Sequence, residues 1–297
     1  MPRRLFFAAL FALVALGSGA AVALELVATS PSLGALAREL APAARVTVLA
    51  PPDRDMHGLQ VRPSMIQALR RADLVIAVGA DLEIGWLPAA LASAANPAIL
   101  PGRSGYFEAA AWVDLLDRGR PADRALGDVH PVGNPHFNLD PVRMAQVARA
   151  LAERLAGIDP PGAVEYRRRA ADFAAQVDDR LSGWRRQAEG APGVLLFHRD
   201  AIYLLDRLGV PLLGEIEPIP GVAPTAAHLK HLTESLAGRD GVILYPAYYG
   251  SQAPERLAQA LGWKALALPL EPPMDASGEG YLGHVGRWVA AIASARP

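Results

Sequence analysis

The feature that most constrains the fold is an alternation of short apolar runs with helical patterns in both halves of the chain. Runs of this kind, bounded by polar or turn-forming residues, indicate buried strands. Strands that alternate with helices predict βαβ units and a mainly parallel sheet. In the first half the predicted strands are residues 26–29, 46–49, 74–78 and, more weakly, 98–100, with helices at 32–40 and 64–71. In the second half they are residues 194–197, 210–213, 242–245 and 265–268.

A long helical pattern separates the two halves. Over residues 163–188, apolar side chains recur every three or four positions and would form one stripe on a helix face. Its length would be about 40 Å at 1.5 Å per residue. The predicted fold is therefore α/β, with two lobes that each contain a mainly parallel four-stranded sheet, joined by one long rigid helix. The predicted boundaries are 24–160 for the first lobe, 161–190 for the linking helix and 191–297 for the second lobe.

The first residues have the order of a secretory signal peptide. Arg3 and Arg4 precede an apolar run over residues 5–16, and small residues follow, ending in Ala21-Val22-Ala23. The run is shorter than the roughly 20 residues that a membrane-spanning helix needs. We therefore expect residues 1–23 to be removed and the mature protein to be periplasmic. The chain has no cysteine, which excludes a lipid-modified N-terminal cysteine and disulfide bonds. Its net charge of −1 gives no indication of a nucleic-acid partner.

One loop carries a histidine between two prolines. His136 lies between Pro135 and Pro141, which each fix φ and remove an N–H, so the loop should be stiff. Asp140 followed by Pro141 has the pattern of an N-cap and a first helical residue. A preorganised imidazole beside a helix start is suited to metal binding, although a single loop histidine is more often a surface residue.

Two further histidines follow predicted strands. His57 comes after the strand at 46–49, and His198 directly follows the strand at 194–197. Ligands of α/β sheets bind beyond the carboxyl ends of the strands. Taken alone, His198 could equally be a hydrogen-bonded histidine at a strand end. With His136, the three predict a site where the two lobes meet.

Together with further segments, these histidine loops resemble a known family, the zinc- and manganese-binding solute-binding proteins of bacterial ABC transporters, also called cluster A-I. The resemblance extends over the whole mature chain. It rests on the loop with His57 followed by Arg62-Pro63-Ser64, the segments 72–75, 79–83 and 86–87, the loop 133–141, and the segments 197–201 and 217–225. The Glu217-Pro218 segment resembles the zinc-specific branch that works with a periplasmic zinc chaperone.

The resemblance implies a ligand set and partners. His57, His136 and His198 would be metal ligands, and the fourth ligand would be Glu279, which stands where the family typically has an aspartate. Asp275 in the same loop is the alternative. The implied function is periplasmic binding of Zn(II), as the transported ligand, and its delivery to an ABC permease in the inner membrane. We expect a monomer.

The chemistry of this ligand set favours transport over catalysis. Three imidazoles and one carboxylate suit zinc, whereas manganese prefers oxygen ligands. Four protein ligands leave no position for the water that a catalytic zinc would activate, and no HExxH motif is present. We therefore predict a protein that is not an enzyme. The alternatives are a manganese or iron carrier of the same family, a secreted zinc hydrolase, and a two-lobed protein that binds cobalamin, haem or a siderophore.

The remaining histidines are weaker candidates. His228 and His231 would share a helix face, which is more often solvated than metal-binding. His130 would either support the site or be exposed, and His284 would pack on the last helix. Residues 116–133 hold only His130, so the histidine-rich loop of many zinc-binding members is missing.

Overall fold

A computed structural model describes residues 23–119, 130–219 and 221–296. The predicted signal peptide lies outside this part of the chain except for Ala23. No helix among the described residues is both long and apolar enough to cross a membrane.

The first lobe is built on a parallel four-stranded sheet in the order β2-β1-β3-β4. Its strands are β1 (Glu25–Ala28), β2 (Arg45–Val48), β3 (Leu74–Ala77) and β4 (Tyr106–Glu108), and its helices are α1 (Pro31–Leu40), α2 (Pro63–Arg71) and α3 (Leu87–Ala94). Each of these helices has a proline at its start, where the missing N–H costs no hydrogen bond. The strand order reverses between β1 and β3, which places a crevice at their carboxyl ends.

The second lobe repeats this plan in the order β6-β5-β7-β8, again with parallel pairing throughout. Its strands are β5 (Val194–Leu196), β6 (Leu212–Glu215), β7 (Val242–Pro246) and β8 (Lys264–Leu268). Its helices are α6 (Ile202–Leu208), α7 (Ala226–Leu236), α8 (Gln252–Leu261) and α9 (Gly278–Ala293). The predicted fold class is confirmed.

Two long helices, α4 (Pro141–Ile158) and α5 (Ala163–Ala188), lie between the sheets. The predicted N-cap is present, because the Asp140 side chain accepts hydrogen bonds from the amides of Val142 and Arg143. The predicted stripe of α5 is largely buried, with Tyr166, Phe173 and Trp184 facing inward. Helix α5 packs against α1, α4 and α9. The connecting helix is thus part of the core.

The fourth strand of the first lobe lies later in the chain than predicted. Residues 98–100 were expected to form it, but Pro97–Ile99 is a short 3-10 helix and the strand is Tyr106–Glu108. Pro97 cannot donate to a sheet, and the Asn96 side chain caps the turn by accepting from the Ala98 amide. Ile99 is buried, but Ala98 and Leu100 are exposed, so the prediction of a buried strand at 98–100 was wrong except for the burial of Ile99.

One hydrophobic cluster runs through both lobes. It contains Leu26 and Val75 of the first sheet, Phe173 of α5, Val242 of the second sheet and Trp288 of α9. A smaller cluster, including Leu195, Ile243 and Leu257, lies on the other face of the second sheet. The two lobes therefore share a hydrophobic core. The loops at the carboxyl ends of the strands of one lobe face those of the other.

Candidate metal centre

The loop that carries His136 is held rigidly. Gly133 has φ +127°, and a Cβ there would lie 2.7 Å from the Cβ of Leu115, so glycine lets this loop approach the preceding segment. The His136 amide donates to Asn134 Oδ1 at 2.8 Å, and Tyr203 donates its hydroxyl proton to the Asn134 carbonyl. A short 3-10 turn, Phe137–Leu139, then leads into α4. His136 is therefore fixed by both lobes, since Tyr203 belongs to α6.

His57 lies in the loop after β2 and is oriented by a carboxylate. Its Nδ1 is 2.6 Å from Asp55 Oδ1, and its amide donates to the same oxygen at 2.9 Å. Trp86 fixes the neighbouring backbone by donating its indole N–H to the Met56 carbonyl. A carboxylate on one ring nitrogen of a histidine directs the other nitrogen toward a metal. The rings of His57 and His136 have centroids 5.2 Å apart.

A third imidazole, which sequence reasoning left as supporting or exposed, completes this cluster. His130 Nε2 is 3.0 Å from His57 Nε2, and the ligand atoms of His57, His130 and His136 all lie within 4.8 Å of one another. His130 is brought back over the site by a turn in which the Gly133 amide donates to its carbonyl. The sequence feature that could have indicated this is the position of His130, six residues before His136 with Gly133 between them.

The second lobe contributes His198 and Asp200 at the carboxyl end of β5. His198 is buried, and its ring lies edge-on to Tyr249 with centroids 5.8 Å apart. It is not one of the three histidines whose ligand atoms cluster. Asp200 Oδ1 is 3.9 Å from His136 Nε2, and Oδ2 is buried without a hydrogen-bond partner among the described residues. A buried carboxylate oxygen without a partner fits a site that takes a cation.

A small cavity lies between the lobes beside His57 and His136; His198 and Asp200 are not part of its lining. Its volume is about 20 Å³, enough for an ion or one water molecule but not for an organic ligand. Its lining includes His57 and His136 from the first lobe, and Tyr248 and Glu271 from the second. Glu271 follows β8, is buried, and accepts hydrogen bonds from the Ser32 amide and hydroxyl at 2.8 and 2.5 Å. It was not a candidate from the sequence.

The structure does not bring Glu279 to this cluster. Its side chain is 67% exposed, and its carboxylate accepts a hydrogen bond from Arg180 at 2.6 Å. Asp275 is also exposed. Glu279 lies in the first turn of α9, where a negative charge stabilises a helix N-terminus. The prediction that it is a ligand thus has no support from the geometry.

The other histidines lie elsewhere. His228 is engaged with the Glu215 carbonyl at 2.8 Å, and His231 is exposed on α7. His284 packs on α9 as predicted, with Nε2 3.2 Å from the Leu270 carbonyl.

Burial sets the protonation of the site. It lowers the pKa of His136 well below its ordinary value and that of His130 to about 4, so both rings are neutral near pH 7. Burial is the largest single influence on Asp55 and raises its pKa, but the side-chain and backbone hydrogen bonds from His57 and the charges of His57 and His198 together outweigh it, so the pKa of Asp55 is lowered. Burial raises the pKa of Asp200, and that of Glu271 to about 7. Neutral imidazoles are the form that binds metals, so these rings are ready to coordinate a divalent ion.

Comparison with known proteins agrees with this chemistry. Residues 26–295 match the family described as zinc-uptake complex component A, periplasmic. Among curated proteins, the chain is 25% identical over 280 residues to the high-affinity zinc uptake system protein ZnuA of Paracoccus denitrificans, covering 82% of each.

Solved structures share the fold. A zinc-bound deletion mutant of ZnuA is 20% identical, with a TM-score of 0.76 over 92% of this chain and 98% of that one. The solute-binding protein FpvC of Pseudomonas aeruginosa in complex with Mn2+ is 22% identical, with a TM-score of 0.76 over 92% and 98%. These identities establish the fold alone, while the family match extends over nearly all of the chain. The chain therefore belongs to the family of zinc-uptake complex component A, which confirms the resemblance found in the sequence.

Proposed function

We propose that this protein binds Zn(II) outside the cytoplasm and delivers it to an ABC importer in the inner membrane. Its family consists of metal-binding solute-binding proteins of uptake complexes. The observation that carries the proposal is the cluster of three imidazoles within 4.8 Å of one another, beside a cavity of the size of an ion.

The bound ion would be held by both lobes. His57 and His136 would coordinate from the first lobe, and His198 with a carboxylate from the second. We propose Glu271 as that carboxylate in preference to Glu279, because Glu271 lines the same cavity as His57 and His136 whereas Glu279 is exposed. The partnerless oxygen of Asp200 adds negative potential beside His136.

Zinc fits this set better than manganese or iron. Nitrogen ligands dominate, and zinc favours four ligands of this kind, whereas manganese favours carboxylate and carbonyl oxygens. The Mn2+ complex of FpvC keeps a manganese carrier as the second candidate. A hydrolase is less favoured because four protein ligands would leave no position for an activated water. The small cavity does not favour cobalamin, haem or a siderophore.

Export and partners follow from the same function. We propose that residues 1–23 are a signal peptide cleaved after Ala23 and that the mature protein is a periplasmic monomer. Its partner would be an ABC permease, with a zinc chaperone as a further candidate because of the segment at Glu217-Pro218. Protein recovered from the extracytoplasmic fraction without added metal should contain about one zinc and have the mass of a chain that starts at Leu24. Retention of Met1 or a predominance of manganese would contradict these statements.

The ligand set is tested by competition titration of Zn(II) against a chromophoric chelator. His136→Ala should weaken binding by more than about 100-fold, since changes that only reorient ligands already cost 10–100-fold. His231→Ala, an exposed histidine, is the matched control and should bind normally. Glu271→Gln should weaken binding, while Glu279→Gln should not. Normal affinity in His136→Ala would overturn the proposed function.

A further inference from the structure

We propose that His130 is an exchangeable metal ligand, and that His57, His130 and His136 hold the ion by the first lobe alone in a state through which it enters and leaves the site. This inference rests on the proposed function and extends it to the route of the ion.

The geometry supports a three-histidine site. Tetrahedral zinc with Zn–N bonds of about 2.0–2.1 Å places its ligand nitrogens roughly 3.3 Å apart. The two Nε2 atoms of His57 and His130 are 3.0 Å apart, and His136 offers a nitrogen within 4.8 Å of both. Small side-chain rotations would therefore bring the three nitrogens to one ion.

The three rings differ in how they are held. His57 is fixed by Asp55 at 2.6 Å, and His136 lies in a loop tied to Tyr203 of the second lobe. His130 Nδ1, in contrast, is buried without a hydrogen-bond partner among the described residues. The Ala80 backbone interacts with the His130 ring, but no carboxylate of the described residues is hydrogen-bonded to it. His130 is therefore oriented less firmly than His57, whose second nitrogen is held by Asp55. His130 is therefore suited to coordinate the ion reversibly.

We infer two states of the bound ion, which differ in the side chains that occupy its remaining coordination positions. Zinc accepts four ligands, and His57 and His136 belong to both arrangements. The remaining positions can be filled by His130 with water, or by His198 and Glu271 of the second lobe. Moving the ion from the first arrangement to the second replaces His130 with ligands of the second lobe and never leaves the ion without protein ligands. A ligand exchange of this kind would speed both binding and release.

The test measures rates as well as affinity on the full mature protein. Zinc uptake and its release to excess chelator are followed by stopped flow in wild type, His130→Ala and the control His231→Ala. We expect His130→Ala to slow both rates about tenfold or more while the equilibrium affinity changes less than about threefold. In a His198→Ala background, where the first-lobe cluster would carry more of the binding, adding His130→Ala should lower the affinity at least tenfold.

Two other outcomes would contradict the inference. If His130→Ala matches His231→Ala in both rates and has no effect in the His198→Ala background, His130 is not a ligand and the inference is overturned. If His130→Ala weakens equilibrium binding as severely as His136→Ala, His130 is a permanent ligand and the exchange is refuted. In both cases a severe loss in His136→Ala leaves the proposed function intact, whereas normal binding in His136→Ala would remove both.

Discussion

Asp140 shows how a single residue secures the loop that carries His136. It is fully buried, caps α4, and pairs with two guanidinium groups, Arg143 at 2.5 Å and Arg207 at 2.9 Å. Because Arg207 belongs to the second lobe, this carboxylate joins the start of α4 to α6.

We expect Asp140→Ala to lower the free energy of unfolding by about 3–5 kcal/mol, since it leaves two arginines without their buried partner and removes a helix cap. Asp140→Asn keeps an oxygen for the cap and should cost less. Denaturant unfolding of the metal-free proteins measures both. Equal stability of wild type and Asp140→Ala would contradict this account of the cluster.

The sequence predicted those residues of the candidate site whose surroundings are local, and the structure brings His57 and His136 together. His57 follows a strand, and His136 stands between prolines next to an N-cap, so neighbouring residues indicate their placement. Glu271 could not be found in this way, because its partner Ser32 is 239 positions away in the other lobe. Glu279 attracted attention through its place before Tyr281, but its partner Arg180 is likewise distant in sequence. Long-range contacts decide which carboxylate reaches the cavity beside His57 and His136.

Among the elements, α9 holds loops from both lobes. Tyr281 donates its hydroxyl proton to the Asn138 carbonyl at 2.8 Å, and Trp288 donates to the Pro269 carbonyl at 2.9 Å. Between them, His284 lies against the Leu270 carbonyl, next to Glu271. One helix face therefore sets the positions of the loops that carry His136 and Glu271.

His284 should make stability depend on pH. Burial lowers its pKa to about 4, with Arg287 beside it acting in the same direction. Between about pH 6.5 and 4 the unfolded chain binds a proton that the native protein does not, so the free energy of unfolding falls as pH falls, by up to about 1.4 kcal/mol per pH unit.

His284→Gln keeps a donor for Leu270 and removes the titration. Its metal-free form should show a shallower loss of stability than wild type across this pH range in denaturant unfolding. His231→Gln, which replaces an exposed histidine, is the control and should keep the wild-type slope. Identical slopes for wild type and His284→Gln would refute the assignment.

Helices were predicted more accurately than the edge strand. The 163–188 pattern matches α5 at both ends, because its apolar stripe has one period over many turns. The run at 98–100 is too short for its period to distinguish a strand from a turn, and β4 itself has only three residues. The pairing of β4 with β3 is a tertiary contact that no local sequence pattern indicates.

For the whole molecule, the shared core limits how far the lobes can move. Helix α5 packs on α1 and α9, and Phe173 contacts Tyr281 with ring centroids 6.0 Å apart. Hinged closure requires crossings that absorb backbone rotation, and this packing provides none at α5.

We therefore expect zinc to change the backbone by about 1 Å or less, with superimposable scattering curves for metal-free and loaded protein. The melting temperature should nevertheless rise, since an ion that binds only the native state stabilises it by about 4 kcal/mol at 1,000 times its Kd. Scattering curves that differ as those of open and closed two-domain binding proteins do would contradict the first expectation.

The packing of α9 against α1 also bears on how the chain is made. During synthesis α1 appears early and α5 follows in the middle of the chain, but α9, which also packs against α1, is the last helix to be translated, and Ser32 meets Glu271 only after 239 further positions. Contacts so distant in sequence form slowly, and until they form the part of α1 that packs on α9 lacks its native cover. We therefore expect the nascent first lobe to keep this part of its apolar surface exposed until α9 has been made.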